Sequence, residues 1–418
     1  MKKLMVIAAL LVFMAGSAHA AAEWNFYGSA RVSTFYSKWD FNMFQSTPGG
    51  LGTITGSDTI TGLGAATITS PNTKNFEQDL NGNARIGARV KVSDTLSGRF
   101  EYGAKSGNAN MRILWGEWNF GAGSLGVGQH YTPLLFPYSN QVYNIYAMED
   151  GDTNMSTFGM LYGKREAMVR LKFGTFQIAA VQPRTEVHYD YVSAAQAVAS
   201  GGQALSATMG ISGVQPTTEV KLPNIQAKYR LDFESGHLNF AAGYQTFEVK
   251  GTQEYNVTSY VLALGGRLNV GKAYFKGNVW GGENVGNLVD IFVGPRLFST
   301  KDTAGTSTRS GADMGFARYR DGTLTGTEGV TDNEALAALA VVGYEIRRGL
   351  YVEAGYGYTR TELDETGSEK KDAAAWYLQS TIFLAPGVFI TPEIGGLDGK
   401  NDDELDVLYF GAKWQINF

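Results

Sequence analysis

The 418-residue sequence predicts an all-β fold, a transmembrane antiparallel up-and-down β-barrel of sixteen strands. Three regularities carry that expectation. Apolar and polar residues alternate with period two over segments of about ten residues, the length a tilted strand needs to cross a bilayer. Short and long connections alternate between the segments, as they do when one rim of a barrel carries tight turns and the other carries loops. Aromatic residues gather at both ends of the outward faces, where amphipathic rings suit a membrane interface.

Composition agrees. Glycine is abundant (53), phenylalanine and tyrosine are common (23 and 22), proline is scarce (10) and cysteine is absent. Such proportions fit strands and turns, and a closed barrel needs no disulfide because every strand is hydrogen-bonded on both sides. The chain opens with Lys2-Lys3, an apolar run from Leu4 to Phe13, and Ala18-His19-Ala20. This is the order of a secretory signal, so residues 1–20 are expected to be removed, leaving 21–418 as a single barrel domain. Loss of the two lysines makes the mature chain more acidic than the net −5 of the full sequence, which argues against a nucleic-acid partner. Beyond the signal no apolar run reaches the length of a spanning helix, so any crossing must be made by strands.

The final strand is the clearest. Leu408, Phe410, Ala412, Trp414, Ile416 and Phe418 alternate with Tyr409, Gly411, Lys413, Gln415 and Asn417. The same pattern places strands near 24–36, 79–92, 96–105, 111–120, 125–131, 164–173, 176–182, 224–233, 237–247, 259–270, 273–282, 335–346, 350–360, 374–384, 387–396 and 406–418. Helix propensity competes at 334–342, which reads ALAALAVV in its middle, but the alternation through Tyr344 and Ile346 favours a strand. Short turns fall at Ser93-Asp94-Thr95, Gly121 to Ser124, Gly174-Thr175, Glu234-Ser235-Gly236, Gly271-Lys272, Arg347-Arg348-Gly349 and Ala385-Pro386. The long connections, including 37–78 and 283–334, fall on the opposite rim, and an even strand number returns both termini to the short-turn side.

Running the strands up and down places Tyr102, Tyr244, Tyr260, Tyr358 and Trp376 outward near the loop rim. Phe26, Trp118, Phe120, Phe173, Phe176 and Phe418 fall outward near the turn rim. Arg112 and Arg165 also read as outward, at strand ends where their long stems would reach headgroups.

The polar face carries the functional signal. Arg31, Arg85, Arg89, Lys91, Arg99, Lys105, Lys164, Arg170, Lys172, Lys228, Arg230, Arg267, Lys276 and Lys413 fall on it, against fewer acids: Glu101, Glu117, Glu166, Glu345, Glu353 and Glu393. So many interior charges require a wet lumen, and sixteen strands enclose more space than side chains fill. The connection 132–161 is richer in apolar and aromatic residues than the other loops and contains Glu149, Asp150 and Asp152. Folded inward, it would set those acids against wall arginines. As an external loop, its acids would be solvated or hold a surface Ca²⁺; no other cofactor is indicated.

The stretch WGEWNFGAGSLGVGQHYTP, Trp115 to Pro133, resembles the Gram-negative general porins, as do Trp24-Asn25-Phe26-Tyr27-Gly28 and the terminal Phe418. The chain departs from that family in carrying Gln129 or His130 where arginine is usual. The resemblance implies a homotrimer in the outer membrane, contacting lipid and lipopolysaccharide, with Phe418 read by the assembly machinery. It also implies passive diffusion of small hydrophilic solutes and ions past a constriction between third-loop acids and wall cations. By position, Arg31, Arg85 and Arg99 form the basic side of that constriction, Glu149, Asp150 and Asp152 the acidic side, and Arg89, Lys91 and Lys276 the vestibule. The excess of wall cations suggests anion preference. A substrate-specific sugar or anion channel is the alternative. An outer-membrane enzyme is disfavoured, because His130, His188 and His237 have no nearby sequence partner for acid–base or nucleophilic chemistry.

Overall fold

The computed structural model describes residues 22–40, 43–47, 50–54, 73–105, 108–144, 151–189, 217–291, 315–321, 328–368, 370–398 and 406–418. The expected signal at 1–20, Glu149, Asp150 and most of the two long loops lie outside them. Strand β1 (Glu23–Asp40) is followed by β2, which runs in two pieces, Thr73–Leu80 and Arg85–Lys91, either side of a turn. Then come β3 (Leu96–Gly103), β4 (Asn110–Asn119), β5 (Ser124–Tyr131), β6 (Arg165–Phe173), β7 (Phe176–Val181) and β8 (Thr217–Phe233). The second half comprises β9 (Gly236–Lys250), β10 (Glu254–Val270), β11 (Ala273–Glu283), β12 (Asn333–Arg347), β13 (Leu350–Leu363), β14 (Lys371–Ala385), β15 (Val388–Asp398) and β16 (Asp406–Asn417).

Each strand pairs antiparallel with its sequence neighbours, and β1 closes the sheet by pairing with β16 from Ser29↔Asn417 to Asp40↔Asp406. The other edge of β1 pairs with both pieces of β2, so the barrel has sixteen strands. Closure leaves no unpaired edge, the condition lipid imposes on a sheet. The turns joining β6 to β7 and β10 to β11 are two residues long, with Gly174 and Gly271 at φ +58, a left-handed conformation that favours glycine.

Alternation sorts the two faces. On β12, Ala335, Ala337, Leu339 and Val341 are buried while Leu336, Val342, Tyr344 and Ile346 are exposed, so the alanine-rich stretch is a strand throughout. Side chains at alternate positions on most strands are large, apolar and exposed, giving an outer belt suited to hydrocarbon. Tyr102, Tyr244, Tyr260 and Trp376 are exposed near one rim, and Phe26, Trp118, Phe120, Phe173, Phe176 and Phe418 near the other.

The structure departs from the sequence expectation in two ways. Strands β8, β9 and β10 are longer than a membrane requires, at 17, 15 and 17 residues, so β9 and β10 are joined on the loop rim by 251–253 alone. Short and long connections therefore do not strictly alternate. The start of β8 was masked in the sequence by Pro223, which falls between register shifts at Val220/Leu222 and Leu222/Ile225; proline is tolerated in a sheet at such irregularities.

Secondly, Arg112 and Arg165 do not face lipid. The register shifts between Glu101 and Tyr102 against Ile113 and Met111, turning Arg112 inward, where it is 3% exposed and bonds Glu101 at 2.8 Å. Arg165 lies over the Tyr131 ring, 5.2 Å from its centroid, and donates to its hydroxyl at 3.1 Å. For Arg112 a one-residue irregularity reverses the face, which period two cannot reveal, whereas Arg165 keeps regular register opposite Tyr131 and its side chain is turned onto that ring.

Candidate functional site

The interior holds a large apolar cluster with two sources. Leu134, Phe136, Tyr138, Val142, Tyr143, Met155, Phe158, Met160 and Leu161 come from the segment between β5 and β6. Phe35, Ala241, Val261, Trp280, Ala337, Leu339, Tyr377 and Tyr409 come from the inward faces of β1, β9, β10, β11, β12, β14 and β16. The two legs of the segment are tied together by Phe136 N–H to Leu161 O (3.0 Å) and Gly163 N–H to Leu134 O (2.6 Å). Tyr143 stacks on Tyr409, with centroids 4.0 Å apart and planes at 15°.

Polar contacts fix the segment on the same wall. Glu353 of β13 accepts from Asn140 N–H (3.1 Å), Asn140 Nδ2 (2.9 Å), Tyr274 Oη, Lys276 Nζ and Tyr377 Oη (each 2.7 Å). Glu393 of β15 accepts the backbone N–H groups of Val142 (2.8 Å) and Tyr143 (2.9 Å). Gly159 donates its N–H to Thr359 Oγ1 at 2.9 Å, and its carbonyl accepts from Asn278 Nδ2 (2.6 Å) and Trp280 Nε1 (2.9 Å). Gly159 has φ +97, and a Cβ there would collide with the Ala338 carbonyl, so only glycine permits this approach. Buried backbone groups must be paired, and here wall side chains supply partners that a helix or strand would otherwise provide.

Asp152 is the described member of the expected acidic set. It pairs with Arg31 (3.2 Å) and Lys413 (2.9 Å) and accepts from Asn81 (2.9 Å). Burial alone would raise its pKa, but Lys413, Arg31 and the hydrogen bonds outweigh that and hold the carboxyl below its ordinary range. The other two expected basic residues meet a different acid. Arg85 (3.3 Å) and Arg99 (2.8 Å) both pair with Glu101, together with Arg112 (2.8 Å) and the Tyr27 hydroxyl (2.8 Å). Three guanidinium groups around one carboxylate leave a local excess of positive charge.

The three expected vestibule residues are not together. Arg89 and Lys91 line a cavity of about 810 Å³ at the turn rim, with Arg99, Trp115, Glu117, His130 and Lys172 in the same wall. Lys91 there pairs with Asp94 of the adjacent turn at 2.8 Å. Lys276 instead lies buried against Glu353 at 2.7 Å. On the loop side of the Glu101 group a second cavity, of about 790 Å³, is lined by Asn83, Arg112, Tyr131, Asn140, Asp152, Asn154, Lys164, Arg165 and others. Among the described residues, no three His, Asp or Glu side chains are grouped as metal ligands would be.

Glu353 and Glu393 were visible in the sequence as inward acids, but nothing there marked them as anchors. Their partners are backbone N–H groups and tyrosines more than 200 residues away in some cases, a relation one sequence does not carry.

The closed sheet is matched among solved structures over nearly the whole chain. The outer-membrane channel DcaP of Acinetobacter baumannii aligns with 96% of this chain and 98% of its own, at a TM-score of 0.61 and 14% identity. The fold is that of the outer-membrane porins. An anion-selective porin from Comamonas acidovorans gives a TM-score of 0.51 at 10% identity, covering 94% of this chain and all of that one. The trimer form of Vibrio cholerae OmpT gives 0.50 at 13% identity, covering 95% and 100%. No family model matches the sequence, and no curated protein matches it.

Proposed function

We propose that this chain is an outer-membrane diffusion porin, passing small hydrophilic solutes and ions through a water-filled lumen, and not an enzyme. The observation that carries this reading is a closed wall, apolar outside, whose interior presents Arg89, Arg99 and Lys172 to a water-accessible cavity and sets Arg31 and Arg85 against Asp152 and Glu101. Charges in that position suit permeation and are costly for a merely structural core. Two matched proteins, an outer-membrane channel and an anion-selective porin, agree with it.

In this reading 132–161 is the pore-constricting loop. It fills the β9–β16 half of the lumen and leaves the water path along β1–β7, past Arg31, Arg85 and Arg99 on the basic side and Asp152, with Glu149 and Asp150, on the acidic side. Arg89 and Lys91 line the exit, and Lys276 acts by bracing the loop. Anion preference follows because Asp152 and Glu101 are each outnumbered by their cationic partners. The mature protein, cleaved after residue 20, assembles as a homotrimer among lipid and lipopolysaccharide, with Phe418 as the assembly signal; the matched Vibrio cholerae OmpT structure is a trimer form.

Single-channel recording in a planar bilayer tests this. Stepwise conductance is expected, with a reversal potential of the anion-selective sign under a KCl gradient. Natively folded protein that conducts nothing would overturn the porin reading. The apolar filling of half the lumen favours a second reading, a substrate-specific channel, and a small conductance blocked by one solute would select it.

A further inference from the structure

Arg165 has no carboxylate partner among the described residues, although it lines the loop-side cavity of about 790 Å³. One of its N–H groups goes to the Tyr131 hydroxyl at 3.1 Å, and its face lies on the Tyr131 ring. The neighbouring Arg112 is committed at all three nitrogens, to Glu101, to Asn83 Oδ1 (3.0 Å) and to Tyr131 Oη (3.2 Å). Tyr131 therefore accepts from two guanidinium groups and keeps its own proton to donate. Among the described residues the acids lining the cavity are each engaged by a base: Asp152 by Arg31 and Lys413, Asp290 by Lys164 (3.2 Å), Glu166 by Arg184. The cavity offers an entering solute the remaining fork of Arg165 and a phenolic proton, with Lys105 also in its lining.

The opposite wall offers acceptors. Asn140 and Asn154 line the same cavity, and each donates one amide N–H, to Glu353 (2.9 Å) and to the carbonyl of Asp152 (3.0 Å). Each keeps a side-chain carbonyl oxygen, which receives O–H groups and repels anionic oxygen. A volume near 790 Å³ is within the range that encloses a small organic solute.

We propose that this cavity is a docking site for hydroxylated carboxylates of the sugar-acid class, the carboxylate held by Arg165 and Tyr131 and the hydroxyls by Asn140 and Asn154. A planar guanidinium fork matches a carboxylate in two parallel hydrogen bonds, which an ammonium cannot do. A neutral sugar forgoes the fork, and a simple carboxylate forgoes the amide acceptors. The proposal rests on the porin reading and narrows it from anions in general to one class of them.

Gluconate, glucose and acetate are to be compared as blockers of the KCl current when added on the loop side. Gluconate is expected to interrupt the current at concentrations where neither of the others does. Arg165→Gln should raise its half-blocking concentration about tenfold or more, and Arg165→Lys, which keeps the charge without the fork, by less. Gluconate no stronger than acetate, or a block indifferent to Arg165→Gln, would overturn the docking site while leaving the porin reading standing. Absent KCl conductance in the unaltered protein would instead sink the porin reading. Equilibrium binding of labelled gluconate to the purified protein, with and without Arg165→Gln, then decides the docking site directly.

Discussion

Replacing Glu353 with alanine removes the residue on which the loop, strands β11 and β14 and a buried ammonium converge. Glu353 is 3% exposed and Lys276 8%, so the variant leaves the Lys276 ammonium without a counter-charge away from bulk water. Breaking a buried pair by deleting one partner costs about 3–5 kcal/mol. The Asn140 N–H also loses its acceptor, which adds about 1–3 kcal/mol where no water replaces it. These contributions overlap, and a loss of about 4 kcal/mol is the expected size. Because the barrel ladder itself is untouched, the loss should fall mainly on the seating of 139–143. Two assays separate the effects: urea unfolding of the detergent-solubilised protein, and the open-channel noise of single channels. The variant should unfold at lower urea and conduct with larger, noisier openings. The double variant Glu353→Gln with Lys276→Met, which removes the stranded charge, should recover much of the stability. A single variant within about 1 kcal/mol of the parent and equally quiet in the bilayer would refute the reasoning, since a stranded ammonium should cost several times that.

Three further outcomes are expected. Asp152→Asn releases Arg31 and Lys413 from their shared counter-charge, so the reversal potential under a KCl gradient should move toward stronger anion selectivity; no movement would place Asp152 away from the ion path. Because the Asp152 carboxyl is held below its ordinary range, the stability it contributes is complete above the unfolded value of about 4 and is lost as pH falls through the lower folded value. The part of the channel noise that Asp152 controls should accordingly rise only below about pH 4, a rise that Asp152→Asn should abolish. Gly28→Val would drive a side chain into the Phe418 ring, which packs on Gly28 and is bonded to it through backbone groups in both directions. Lower yield of assembled barrel, with unassembled chain accumulating, is the expected outcome.

The strands were legible because a wall between two solvents imposes its period on every residue. That period survives even in the alanine-rich β12, where helix propensity competes: its inner alanines are small because the loop segment packs closely there, with Gly159 against the Ala338 carbonyl. Arg31 and Asp152 were also legible as opposite signs on facing elements. Arg112 was not, because the irregularity opposite Glu101 has no signature in composition and shifts the residue to the other face. The tethering of the loop to Glu353 and Glu393 was illegible for a different reason. Backbone N–H groups are the same at every position, so an acid that binds them leaves no complementary residue type to find.

The interior cluster has a consequence for the order of biogenesis. Gln141 bonds the Tyr409 hydroxyl and Ser139 the Tyr377 hydroxyl, across sequence separations of 268 and 238 residues. The surfaces that receive the loop do not exist until the C-terminal quarter of the chain has joined the sheet. Contacts so distant in sequence close slowly and cannot nucleate a fold. If the loop folds inward as proposed, it enters a finished cylinder, and its burial reports that the last strand has found the first. Protease resistance within 132–161 should then appear after resistance of the early hairpins, as a timestamp of closure written by the molecule itself.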